Sequence, residues 1–119
     1  FRPDAAKKTV VSRARNDAVA RAIMTYVQAH YKEEITIDSI AEAVHYSPGE
    51  CCRLFKRVTH DTIFSYIRLY RITQASKLLR ETGLSVEDIA ECGFASASYF
   101  ISAFKKCLKT TPLRYRNGA

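Results

Sequence analysis

Hydrophobic residues along this chain recur at spacings of three and four, which is the period of amphipathic helices, and no alternating strand pattern emerges. The pattern therefore predicts an all-α fold of about seven helices. The first helix is expected to begin near Asn16 or Asp17, either of which can cap it, and to turn Val19, Ile23 and Val27 inward.

The next two helices are predicted to be short and separated by a tight turn. The first runs from Ile37 to Val44 and is broken by His45 and Tyr46. Ser47 is a favourable N-cap, and Pro48 suits the first helical position because that position needs no amide hydrogen. A short helix, a turn and a second helix predict a helix-turn-helix over about residues 37–58.

A longer helix is predicted over about residues 62–81, with apolar side chains on more than one face, as expected for a central helix. Gly83 is expected to end it in the left-handed conformation. Residues 86–108 then predict a second helix-turn-helix, with caps at Ser85 and Ser96 and a turn at Gly93. A last short helix is expected to follow Thr111.

The two predicted helix-turn-helix segments are similar to each other in sequence. Shifting the chain by 49 positions aligns them without a gap and gives eight identities across 36–66. The identical residues include a small Ala where the helices cross, a Ser cap, an inward Phe and an outward Lys. Such an internal repeat favours two equivalent units over two unrelated helix pairs. The identities are Ile40/Ile89, Ala41/Ala90, Glu42/Glu91, Ser47/Ser96, Phe55/Phe104, Lys56/Lys105, Thr62/Thr111 and Tyr66/Tyr115.

The charge of the chain favours a polyanionic partner, since the formal net charge is +7 and the sequence pI is about 9.4. Residues 1–15 are basic and are expected to form a linker, while residues 16–119 form the domain. The chain begins with Phe1, so a further N-terminal part is expected. No apolar run reaches the roughly eighteen residues of a membrane helix, and a cytoplasmic location without membrane contact is expected.

The four cysteines show neither the spacing nor the histidine partners of a zinc site. Cys51, Cys92 and Cys107 fall on apolar faces of predicted helices, so they are interpreted as small buried hydrophobic residues. No metal and no cofactor are expected. The three histidines are dispersed without a catalytic partner, and an enzyme is not expected.

From Ile23 to Arg116 the chain resembles the DNA-binding domain of the AraC/XylS family of bacterial transcription regulators. RITQASKLLRET, from residue 71 to 82, is similar to the family's spacer helix, and SVEDIAECGFASASYFISAFKKCLKTTPLRYR, from 85 to 116, to its signature. The resemblance implies two helix-turn-helix lobes joined by a long helix, each sending one helix into successive major grooves of double-stranded DNA. It also implies a separate effector or dimerisation domain.

Outward residues of the two second helices are the candidates for DNA contact that this resemblance implies. Arg53 is the main candidate for base reading, because its guanidinium fits guanine O6 and N7. Ile101 is either a chance exposure or an apolar contact to a thymine methyl. The base-contact candidates are Cys52, Arg53, Ser98, Ile101 and Ser102. The phosphate-contact candidates are Lys56, Arg57, Lys105, Lys106 and Lys109.

The chain departs from the family pattern at three positions. The family usually has Gly just after each recognition helix, where this chain has His60 and Lys109. Gly49 stands where the family often has a larger side chain that faces the groove. Base reading in the first lobe then depends chiefly on Arg53.

Other roles remain open for some of the basic residues and for the chain as a whole. Arg68, Arg71, Lys77 and Arg80 of the long helix are either phosphate contacts or, for Arg71, a structural ion-pair partner. A helical protein-interaction module with only non-specific DNA affinity is the alternative function. Transcription activators also touch polymerase subunits, so RNA polymerase is a further candidate partner.

Overall fold

Seven α-helices make up the described part of the chain, which contains no β-strand. The structure is a computed structural model that describes the backbone of residues 3–118 and the side chains of residues 12–118. The prediction of an all-α fold with about seven helices is confirmed. The helices are α1 Pro3–His30, α2 Ile37–Val44, α3 Pro48–Thr59, α4 Ile63–Glu81, α5 Val86–Ala90, α6 Ala97–Leu108 and α7 Pro112–Arg116.

The helices divide between two compact units. The first unit comprises Phe1–Ala29 and Ile35–Ile63, and so contains α2, α3 and nearly all of α1. The second unit comprises His30–Glu34 and Phe64–Ala119, and contains α5, α6, α7 and all of α4 after its first residue. Each unit therefore holds one of the two predicted helix-turn-helix segments.

Side-chain caps define both helices of the first helix-turn-helix. The Thr36 hydroxyl accepts from the Ser39 amide at 3.0 Å, and the Ser39 hydroxyl accepts from the Thr36 amide at 3.2 Å, a reciprocal capping box. α2 ends at His45, whose φ of 62° is left-handed. Ser47 then caps α3 by accepting from the Glu50 amide.

The first unit buries one side of each of its helices. The residues concerned follow the predicted inward spacing, and Ile40 and Phe55 are fully buried. Because these faces are apolar, burial of the side chains stabilises the unit by the hydrophobic effect. The buried residues are Val19, Ala20, Ile23 and Val27 of α1, Ile40 and Ala41 of α2, and Cys51 and Phe55 of α3, with Ile63 at the end of the unit.

Aromatic rings form the centre of the second unit. Phe100 and Phe104 of α6 are fully buried and meet edge to face, with ring centroids 5.8 Å apart. Phe94, just before α6, packs on Phe100 at 4.7 Å, and Tyr115 of α7 packs on Phe104 at 5.4 Å. Ile72, Ala75 and Leu79 of α4 and Val86, Ile89 and Ala90 of α5 complete this core.

The end of α4 differs from the prediction, because Gly83 is not in the left-handed conformation. Side chains satisfy the last carbonyl groups instead. The Thr82 hydroxyl donates to the Leu78 carbonyl at 2.6 Å, and the Arg116 guanidinium donates to the carbonyls of Leu79 and Thr82. With these acceptors satisfied, the helix ends without a left-handed residue.

The start of α1 was also predicted wrongly. The helix continues through Asn16 and Asp17 to Pro3, and Asn16 is buried rather than placed at a helix end. The side chains of the first eleven residues lie outside the described part, so the structure describes the expected basic linker at residues 1–15 as helical backbone from Pro3, with Arg13 and Arg15 exposed.

The two halves of the repeat agree at the second helices but not at the turns. α3 and α6 each have 12 residues. α2 has 8 residues, whereas α5 has 5 and is followed by a wider turn through Gly93 at φ 111°. A Cβ at Gly93 would stand 2.3 Å from the Tyr31 carbonyl oxygen and 2.8 Å from Arg71 Nε. Position 93 therefore requires glycine both because its φ is positive and because there is no space for a side chain.

Gly93→Ala is expected to destabilise the second unit by about 2 kcal/mol or more, since it adds backbone strain at positive φ to a steric clash. The measurement is urea unfolding followed by circular dichroism. Gly83→Ala is the matched control, because Gly83 has no positive φ and no atom within 4 Å of its virtual Cβ. It is expected to change stability by about 1 kcal/mol at most. Equal effects of the two substitutions would contradict this account of Gly93.

Candidate nucleic-acid interface

The outer side of α3 carries the first set of predicted contact residues. Cys52, Arg53, Lys56 and Arg57 are all exposed, while Cys51 and Phe55 of the same helix are fully buried. The division follows the helical period, since residues three or four positions apart share a face. Lys56 and Arg57 lie in the last turn, where the helix dipole favours cations.

The outer side of α6 repeats this arrangement with different chemistry. Phe100, Ala103 and Phe104 are buried, whereas the predicted contact residues Ser98, Ile101, Ser102, Lys105 and Lys106 are exposed. The Ser96 hydroxyl accepts from the Tyr99 amide at 3.1 Å and sets the start of the helix. The exposed face therefore combines small polar side chains, one Ile and a basic end.

α3 and α6 end in the same way, although neither is followed by glycine. His60 and Lys109 each have φ 61° and ψ 20°, and their amides donate to the carbonyls of Lys56 and Lys105. The left-handed turn implied by the family resemblance is therefore kept. The conformation costs a non-glycine residue about 1 kcal/mol. Lys109 is exposed at this turn.

Ile101 is not an isolated exposed residue. It lines a groove of about 460 Å³ together with Val86 of α5 and Pro112 and Leu113 of α7. Leu113 is 59% exposed and Ile101 39% exposed. The groove is mostly apolar, and Glu87 and Arg116 also lie along it. The Ile101 side chain thus belongs to an apolar surface shared by three helices.

The cysteines only partly match the interpretation as buried residues. All four are free thiols, and Cys51 is fully buried. Burial, together with the neighbouring Cys52 and Glu50, raises the pKa of the Cys51 thiol. Cys92 is half-buried and Cys107 is exposed, so the prediction for Cys107 was wrong. The apolar side of α6 is covered at Phe100 and Phe104 but not in its last turn.

Two arginines of α4 make contacts within the second unit. Arg71 donates from Nε to the Tyr31 carbonyl at 2.9 Å and from Nη2 to the Glu33 carbonyl at 2.8 Å. Burial lowers the pKa of Arg71 from its ordinary value, although a guanidinium stays protonated. Arg80 stacks on the Tyr115 ring at 4.7 Å. Arg71 is therefore structural, but through backbone carbonyls rather than an ion pair, while Arg68 and Lys77 are exposed.

Sequence reasoning missed two features of this interface. Tyr99 of α6 is 49% exposed, and its ring lies 6.3 Å from that of Phe94. Gly49 of α3 has the Arg53 guanidinium folded over it, with Nη1 3.2 Å from the site of a Cβ. The spacing of four between Gly49 and Arg53 is the sequence signal for that contact.

Other kinds of site find little support in the described residues. No three His, Cys, Asp or Glu side chains among residues 12–118 are grouped as metal ligands would be. Likewise, none of the described helices has both the length and the apolar character required to cross a bilayer.

Comparison with known proteins also identifies a helix-turn-helix domain. A family model for a helix-turn-helix domain matches residues 40–118. A solved structure of a transcriptional regulator from Chromobacterium violaceum, described as containing an AraC-type DNA-binding domain, superposes with a TM-score of 0.81 at 28% identity. The match covers 87% of this chain and 94% of that one. The likeness thus extends over nearly the whole length of both chains.

Two curated Bacillus subtilis proteins are also similar. The uncharacterized HTH-type transcriptional regulator YdeC is 38% identical over 97 residues, which are 81% of this chain and 33% of that protein. The bifunctional transcriptional activator/DNA repair enzyme AdaA is 35% identical over 117 residues, covering 98% of this chain and 56% of that protein. The chain therefore spans between about a third and somewhat over half of the length of these relatives.

Proposed function

We propose that this chain, which belongs to the AraC/XylS family of helix-turn-helix DNA-binding domains, binds double-stranded DNA. It does so sequence-specifically, as part of a transcription activator. Each unit inserts the second helix of its helix-turn-helix into a major groove of the same duplex. That helix is α3 in the first unit and α6 in the second. The observation that carries this proposal is the pair of 12-residue helices that bury one side and leave a basic side exposed at repeat-equivalent positions.

The proposed contacts divide into base reading and phosphate binding. Arg53 reads a guanine, since its fork of donors matches guanine O6 and N7. Cys52, Ser98, Ile101 and Ser102 lie against base edges. Phosphate binding falls to the lysines and arginines near the helix ends, which are Lys56, Arg57, Lys105, Lys106 and Lys109. These residues supply affinity without sequence information.

The activator role and the wider partners are part of the proposal. AdaA is named as a transcriptional activator, and it is one of the relatives that extend well beyond this chain. RNA polymerase and an effector or dimerisation domain in the rest of the protein are the proposed partners. DNA repair activity is not proposed for this chain, because the dispersed His30, His45 and His60 provide no catalytic grouping.

A protein-interaction module with only non-specific DNA affinity is the second candidate. The apolar groove beside Ile101 and Leu113 favours it, since such surfaces suit protein partners. Selection of bound sequences from a random duplex pool separates the candidates. An enriched motif supports the DNA-reading proposal, and enrichment of none would favour the interaction module.

Duplex affinity is expected to fall steeply with salt. About five phosphate contacts, each adding about −0.9, predict a slope of about −4.5 when log affinity is plotted against log salt concentration. Fluorescence anisotropy with a labelled duplex between 50 and 200 mM salt measures it. A flat dependence would exclude DNA binding through these basic faces.

Arg53→Ala is expected to relax preference at one or two adjacent base pairs and to cost about 1–3 kcal/mol on the preferred site. Lys105→Ala should weaken all sequences alike and reduce the salt slope by about 1, because a phosphate contact carries no base information. Binding-site logos and salt titrations of both variants provide the measurement. An unchanged logo for Arg53→Ala, or a sequence-selective loss for Lys105→Ala, would reverse the assigned roles.

Of the three cysteines of α3 and α6, only Cys52 is expected to be alkylated more slowly when DNA is bound. Cys52 lies on the outer side of α3 beside Arg53, so the preferred duplex should strongly slow its reaction with iodoacetamide. Cys107 is the internal control, because it is also exposed but lies about 200° around α6 from Lys105. Buried Cys51 should react slowly throughout. Mass spectrometry resolves the three sites, and equal protection of Cys52 and Cys107 would argue against insertion of α3.

A further inference from the structure

The Arg53 side chain lies back along α3 across Gly49. If Gly49 carried a Cβ, that atom would stand 3.2 Å from Arg53 Nη1 and 4.0 Å from Arg53 Cζ. Residues four apart are neighbours on a helix, and long side chains lean toward the helix N-terminus. The guanidinium therefore reaches the first turn of α3, which begins at Pro48.

The backbone gives no reason for a glycine at this position. Gly49 is not among the residues with positive φ, and it is exposed in the first turn of α3. A glycine inside a helix is less favourable than an alanine. What the glycine provides is space, because a contact of 3.2 Å is tighter than a Cβ and a nitrogen normally make. An added methyl would therefore displace the guanidinium by a few tenths of an ångström, enough to disturb a paired hydrogen bond to a base edge.

Nothing in the described part of the protein ties the Arg53 guanidinium to another group. No hydrogen bond, ion pair or ring contact of Arg53 occurs among residues 12–118. The nearby carboxylate of Glu50 accepts instead from the Ser47 hydroxyl at 2.9 Å. Five guanidinium N–H donors are thus available at the first turn of α3 for an outside acceptor.

The second unit lacks this arrangement. The repeat places Ser98 and Ser102 at the positions of Gly49 and Arg53, and neither serine is long enough to cover the preceding turn. A folded-back arginine over an empty position is therefore a property of α3 alone. Any consequence for recognition should appear only in the part of the DNA site that contacts the first unit.

We propose that Gly49 determines sequence specificity, because its missing side chain lets the Arg53 guanidinium reach the base pair that faces the first turn of α3. The inference rests on the proposed function, since it concerns how that interface reads DNA. The Arg53 side chain then covers the outer surface of α3 at position 49 as well as at position 53. It takes the place that a groove-facing side chain at position 49 would occupy, and a bidentate acceptor such as guanine is the base edge that it fits.

The test is selection of duplex sequences by four proteins: the unsubstituted chain, Gly49→Ala, Arg53→Ala and the double variant. Gly49→Ala is expected to lower discrimination about tenfold at the base pair that Arg53→Ala also relaxes, while the rest of the motif stays unchanged. In the Arg53→Ala background, adding Gly49→Ala should change nothing further. Gly83→Ala is the matched control, because its virtual Cβ meets no atom within 4 Å, and its motif should equal that of the unsubstituted chain.

Two outcomes would overturn the inference while leaving the proposed function intact. One is an unchanged motif for Gly49→Ala, and the other is the same change with and without Arg53. If the unsubstituted chain enriches no motif, the proposed function and this inference fail together. A DNA-free measurement completes the test: the side-chain Nε–H resonance of Arg53 should shift in Gly49→Ala and not in Gly83→Ala. An unmoved resonance would also count against the inference.

Discussion

One half-buried arginine joins distant parts of the second unit. Arg71 of α4 donates to the carbonyls of Tyr31 and Glu33, and its side chain packs against Gly93 in the turn before α6. Three separate parts of the sequence thus meet at one guanidinium. Two backbone carbonyls accept hydrogen bonds from the guanidinium, which offsets the cost of its partial burial. The turn that directs α6 is consequently held by residues far from it in the sequence.

The proposed interface lies on α3 and α6, the inner sides of which are buried in the core. Phe100 and Phe104 fix α6 by packing on Phe94 and Tyr115, and Phe55 and Cys51 are buried in the same way in α3. A helix that is held by its inner face can present its outer side chains in constant register. The outer faces are free to differ, and they do. α3 offers one long arginine over a glycine, while α6 offers serines, an Ile and lysines.

Much of this was predictable because the determining interactions are local. Ser47 and Ser96 act as caps for the amides three residues on, and the period of three and four separates inner from outer side chains. His60 and Lys109 also end their helices as the resemblance implies, although neither is glycine. Two of the predictions that failed concern contacts with residues distant in sequence. Gly83 needs no left-handed turn because Arg116 satisfies the end of α4, and Cys107 is exposed because none of the described elements covers the last turn of α6.

The sequence by itself determined the helices apart from the start of α1 and the end of α4, the Ser caps of α3, α5 and α6, the repeat and the outward sets of residues, since each depends mainly on neighbours within about one helical turn. Only the tertiary structure decided which arginines are available to bind a partner outside the chain. Arg71 and Arg80 have the composition of phosphate contacts but bind backbone carbonyls and a tyrosine ring, whereas Arg53 is unpaired among the described residues and lies over Gly49. The physical reason is that a long flexible side chain takes its direction from what surrounds it in space, which helical periodicity does not specify.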